Sequence, residues 1–165
     1  MLFLPTTLLG GEPFPIYITG DRTGTIALTF SPNILYDGGT YPGSNLIDGS
    51  FVQNASGSTV WNNVSIAGEY VQFDFGSGVS MLVTEATYYQ SDTSNQGTWK
   101  WQGSELAISW TDIGSSFTLG GATSQTHTQL NGNTTGYRYY RMLGVSGSTT
   151  FNPWVEEIEF KQDPF

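Results

Sequence analysis

Few residues in this chain could do chemistry. One histidine, His127 in "SQTHTQLNGN", is the only imidazole. A triad or a metal site needs partners that its sequence neighbours do not supply. It therefore reads first as a surface loop or strand residue, with a ligand contact as the alternative. Three acids, Glu156, Glu157 and Glu159, share the segment "WVEEIEF". In a strand, period two sends Glu157 and Glu159 to one face and Glu156 with Ile158 and Phe160 to the other. Two carboxylates on one face can act as general acid and base, although a solvated acidic face is commoner. "RYYR" at 138 to 141 puts Arg138 with Tyr140 and Tyr139 with Arg141, which suits an acidic sugar or, more simply, ion pairs with the chain's carboxylates. "NLIDGS" and "WVEEIEF" could supply oxygen ligands to calcium if the chain ends approach each other.

Other chemistries are excluded. The sequence has no cysteine, which removes thiol catalysis and disulfides and leaves a zinc site to one histidine and carboxylates. No Gly-x-Gly-x-x-Gly opens a helix, no Gly-Lys-Ser/Thr loop occurs, and there is no nucleophile elbow. A net charge of −9 with only five Lys plus Arg argues against nucleic acid and against an anionic membrane, since both need clustered basic residues.

The elements that must position these residues read as strands. The 165 residues suit one domain, with 12 % charged and 15 % aromatic residues and abundant Gly, Ser, Thr and Asn, a composition of short strands joined by turns. "TIALTF" alternates Ile26, Leu28 and Phe30 on one face, and "YVQFDFGSG" alternates Val71, Phe73 and Phe75. "VSMLVTEATYYQ", "SSFTLGG", "GYRYYRMLGV" and "WVEEIEF" follow, separated by turn formers. No segment carries helix caps and a 3.6-residue period. The expected fold is all-β, a two-sheet antiparallel sandwich or jelly roll. Residues 1–33 are expected to form an N-terminal arm with strands, and 34–165 the sandwich. The apolar start "MLFLPTTLLGGEPFP" has no basic residue and is interrupted by Pro5 and Gly10-Gly11, so it reads as neither a signal peptide nor a membrane span.

With the motifs in order, residues from about 34 to 162 resemble the discoidin-like, F5/8 type C family of galactose-binding-like domains, which includes bacterial carbohydrate-binding modules. The resemblance is carried by Asp48-Gly49 followed by Thr59-Val60-Trp61, by Asp74-Phe75-Gly76, by Trp101, Ser104 and Trp110, and by "YRYYRML" with "EEIEF". It implies a galactose-binding-like jelly roll. It also implies a structural calcium held by Asp48, Thr59 and Glu157, and a ligand site on the loops at one end, with Tyr41, Asn45, Tyr89, Asn95 and His127 as candidates. Trp99, at the mouth of the "SDTSNQG" loop, is a further candidate. The family's Ser-x-Asp-Gly turn is replaced by Ser104-Glu105-Leu106-Ala107, which implies a remodelled hairpin.

The expected function is non-catalytic: a virion structural or adhesion protein, of capsid-decoration or tail-fibre type as in bacteriophages. Its glycan-binding-like sandwich would be exposed on the virion surface, with the arm docked on neighbouring subunits in a homo-oligomer or larger assembly. The alternative is a stand-alone carbohydrate-binding module, extracellular or at a bacterial cell surface. A glycosidase using two carboxylates is the remote third reading.

Overall fold

A computed structural model describes residues 16–52, 57–150 and 153–164. Its strands are β1 (Ile16–Ile18), β2 (Ala27–Phe30), β3 (Thr59–Val60), β4 (Tyr70–Asp74), β5 (Met81–Gln90), β6 (Thr98–Ser104), β7 (Thr111–Thr118), β8 (Ser124–His127), β9 (Tyr139–Ser146) and β10 (Trp154–Pro164). Two short 3-10 helices, Gly43–Ile47 and Thr128–Gly132, complete it. One sheet runs β1-β10-β5-β8 with β3 also on β10, and the other runs β2-β4-β9-β6-β7. Every strand pairing is antiparallel.

Alternation places the core. Val71, Phe73 and Phe75 are buried on one face of the β4 segment, while Tyr70, Gln72 and Asp74 are half-buried on the other. Trp99 and Trp101 in β6 likewise point inward and are fully buried. The inner layer is aromatic: Trp61 meets Trp99 at 5.2 Å and Tyr88 at 5.7 Å, and Phe73 meets Phe160 edge-on at 4.9 Å. Each such side chain removes about 150–250 Å² from water, a large share of the stability of a chain without disulfides.

Two expectations need correction here. Strict alternation puts Glu156 with Ile158 and Phe160, but a register shift between Val155 and Glu157 inserts one residue, so the core positions of β10 are Val155, Ile158 and Phe160. Such a bulge re-aims the side chains that follow it. Glu157 and Glu159 are also no solvated face: both are buried, Glu157 against Arg22 and the Gly49 amide and Glu159 against the Tyr89 hydroxyl. That region belongs to the sandwich. β1 pairs with β10 at the edge of one sheet, and β2 pairs with β4 at the edge of the other. The part of the expected arm before Ile16 lies outside the described residues.

The β6–β7 hairpin is remodelled as its sequence implies. Ser104 Oγ accepts hydrogen bonds from the Leu106 and Ala107 amides at 3.3 and 2.9 Å. Ala107 adopts φ +56°, a left-handed conformation that costs a residue with a Cβ. Its neighbours Leu106 and Ile108 are exposed.

Candidate functional site

The end of the sandwich at the Gln90 terminus of β5 gathers part of the expected ligand set. The Tyr41 ring packs edge-on against Trp154 at 5.2 Å, with Tyr36 6.1 Å beyond. The Ser91 amide donates to the Trp154 carbonyl at 3.2 Å, which draws the 91–95 loop to the same place. Tyr89 lies just before that loop, its ring 4.8 Å from exposed Phe51. Burial, and Glu159 accepting its hydroxyl proton at 2.9 Å, push the Tyr89 phenol up to about 12. Asn95 is exposed in the loop, where its Oδ1 accepts from the Gly97 amide at 2.7 Å. Tyr41, Tyr89 and Asn95 are thus brought to one end. Tyr36, Phe51 and Trp154 join them, although each stands alone in sequence with no motif to mark it.

The other three candidates are internal. Asn45 is buried and its Nδ2 donates to the Ser58 carbonyl at 3.1 Å, fixing the 3-10 turn that precedes Asp48. Trp99 faces the core rather than the loop mouth, and its Nε1 donates to the Gln96 carbonyl at 2.7 Å. His127 is not a surface residue. It is 2 % exposed, opposite Ala86 across the β5–β8 pair, with Phe117 4.2 Å away. Its inward position follows from β8 lying at the sheet edge beside the core tryptophans, which "SQTHTQLNGN" does not reveal.

Of the residues to which the resemblance gives a calcium, Glu157 is paired with a different cation. Arg22, in the "GDRTG" turn, is 3 % exposed and forms an ion pair with fully buried Glu157. Its Nη1 donates to the Ile158 carbonyl at 2.8 Å and its Nε to the Gly20 carbonyl at 3.2 Å. The second Glu157 oxygen accepts from the Gly49 amide at 2.7 Å. Gly49 has φ +76°, and a Cβ there would lie 2.5 Å from Gly20, so only glycine lets the two turns touch. Asp48 accepts from the Ser50 amide at 2.8 Å, and burial pushes its carboxyl up. Thr59 Oγ1 donates to the Pro42 carbonyl at 2.7 Å. Calcium needs six to eight oxygens with free lone pairs. One Glu157 oxygen is taken by the Arg22 guanidinium and the other by the Gly49 amide, so Asp48, Thr59 and Glu157 do not fit one. Among the described residues, no group of three or more His, Cys, Asp or Glu is placed to hold a metal.

On the outer face of the β4–β9 pair, Arg138 makes a bidentate pair with Asp74, both bonds 2.7 Å, as the simpler reading of "RYYR" expects. Arg141 instead stacks 4.0 Å from the Trp110 ring and donates from Nε to Gln102 at 2.7 Å.

No family model matches the sequence, and no curated protein matches it. Solved structures do. A CBM62 module of Xyl5A from Clostridium thermocellum superposes with a TM-score of 0.59 at 20 % identity, covering 90 % of this chain and 97 % of its own. An F5/8 type C domain from Bacteroides fragilis gives 0.61 at 14 % identity over 92 % and 98 %. The fold is the jelly-roll sandwich of these domains. A CBM32 of AlyQ, described in complex with 4,5-unsaturated mannuronic acid, gives 0.53 at 23 % identity over 87 % and 97 %. At these identities the likeness fixes the fold, and function has to be argued from the site.

Proposed function

We propose that the protein is a non-catalytic module that binds a neutral saccharide with the aromatic end of its sandwich. The observation that carries this is a pair of ring groups, Tyr36 and Tyr41 against Trp154 and Phe51 against Tyr89, with the polar 91–95 loop tied to Trp154. Ring faces for stacking and nearby groups for hydroxyls are what a sugar needs. The mannuronic acid of the AlyQ module is not carried over to this chain: a net charge of −9 disfavours acidic ligands. The acids with the best prospects for catalysis are engaged elsewhere, Glu157 with Arg22 and Glu159 with Tyr89. A module of this kind works outside the cell or on its surface, where polymeric glycans are met. The virion reading draws its support from the N-terminal arm. The likeness to carbohydrate-binding modules favours the stand-alone module.

A glycan array with the isolated protein tests the reading. Binding to a defined neutral glycan is expected, weakened about tenfold, the worth of one aromatic contact, by Tyr36→Ala or Tyr41→Ala with the melting temperature held. Silence across the array overturns it.

A further inference from the structure

The seam between β1 and β2 holds a pocket of about 490 Å³, walled by Ile18, Ile26, Phe75, Val79 and Met81. Its chemistry is apolar. Of the polar residues on its wall, Arg22 spends its guanidinium on Gly20, Glu157 and Ile158, and Thr25 Oγ1 donates to the Arg22 carbonyl at 3.1 Å. A saccharide would find few partners for its hydroxyls there, whereas apolar side chains would take the wall out of water.

β1 points to where such side chains could come from. The Tyr17 hydroxyl is bonded to Glu85 and Thr87 at 2.7 and 2.9 Å, so alternation puts Ile16 and Ile18 together on the opposite side of the strand. The register agrees. Ile18 lies opposite buried Phe160 and Ile16 opposite Gln162, directly paired residues share a face, and Ile18 and Gln162 both line the pocket. Yet Ile16 is 59 % exposed. The pocket side of β1 thus loses its cover at the residue where the chain before it joins.

That chain has the matching chemistry. Residues 1–15, "MLFLPTTLLGGEPFP", include Leu2, Phe3, Leu4, Leu8, Leu9 and Phe14, and the one ionisable side chain is Glu12. Fifteen residues can reach about 50 Å when extended, so each of these side chains is within range of the pocket from Ile16.

We propose that apolar side chains of residues 2–14 pack into the β1–β2 pocket of the same molecule, so that the start of the chain plugs its own sandwich. A tethered segment acts at an effective concentration on the order of millimolar, and two copies that each carry a net charge of −9 repel each other. Both favour the segment's own pocket over a neighbour's. The plug goes beyond the saccharide reading and does not rest on it: it makes the arm a part of the module rather than a link to other subunits.

The test is paramagnetic NMR on the full chain. The sequence has no cysteine, so a nitroxide can be placed at a single position through Thr6→Cys. In a methyl-labelled sample, the Ile18, Ile26, Val79 and Met81 methyl signals are expected to lose intensity relative to the reduced label, and to the same extent on dilution. A second sample mixes a methyl-labelled chain without nitroxide with an unlabelled chain that carries it. Loss at the pocket methyls in this mixture assigns the pocket to a second copy and overturns the proposal. No loss in either sample, or loss spread evenly over the sandwich to Val145 in β9, overturns it too. Sugar binding by the aromatic end is read separately on the glycan array.

Discussion

The sandwich buries a nitrogen-bearing side chain at each of its two lateral seams and treats the two in opposite ways. At the seam of β1 and β2, Arg22 finds an acceptor for each of its bonds in Gly20, Glu157 and Ile158, and the adjoining pocket is lined by Ile18, Ile26, Phe75 and Met81. At the seam of β7 and β8, His127 is held from one side by Trp101, and its other nitrogen is buried without a partner. The first seam closes on itself with chain from both sheets' edges. The second leaves a buried donor unsatisfied, at a cost of about 1–3 kcal/mol.

The largest effect should come from breaking the closed seam. Arg22→Met leaves Glu157 buried without its cation and is expected to cost about 3–5 kcal/mol in chemical denaturation, with much of that recovered in Arg22→Met/Glu157→Gln. Full recovery of stability by calcium in Arg22→Met would instead show that the carboxylates keep a metal site in reserve.

Acid should attack the other seam. The folded pKa of His127 lies below the ordinary value of 6.5, at about 3, so the unfolded chain takes up a proton first as pH falls. Its contribution is fully present above pH 6.5, is lost on acidification through the window down to about 3, and amounts to roughly 1.4 kcal/mol per unit. A pH series of denaturation midpoints should show this slope, flattened in His127→Gln. Smaller still, Gln129→Leu removes a buried acceptor that has no partner and should raise stability by about 1–3 kcal/mol. The smallest effect is none: chelation of divalent cations should leave the wild-type melting temperature where it is, and a drop would sink the assignment of Arg22 as the internal cation.

The strands were legible because alternation is a local property. Val71, Phe73 and Phe75 face inward as their spacing demands. The bulge at Glu156 was not legible, since it is set by pairing with β5 rather than by its own residues. The same holds for the sites. His127 and Asn45 looked like surface residues until strand and turn partners enclosed them. Arg22 sat unnoticed in a turn, for its partner lies 135 residues away.

That separation bears on how the molecule is made. β10 pairs with β1, β3 and β5, so one sheet is assembled around a strand synthesised after all of them. Until it arrives, β1 and β3 lack the strand they pair with, and β5 has only β8 beside it. Pairing of such distant segments is slow, and the waiting strands present open edges. This sheet is therefore completed only once β10 has been made. In that interval the scarcity of hydrophobic residues on the outer faces, and the repulsion of an acidic chain from its own copies, are its protection against aggregation.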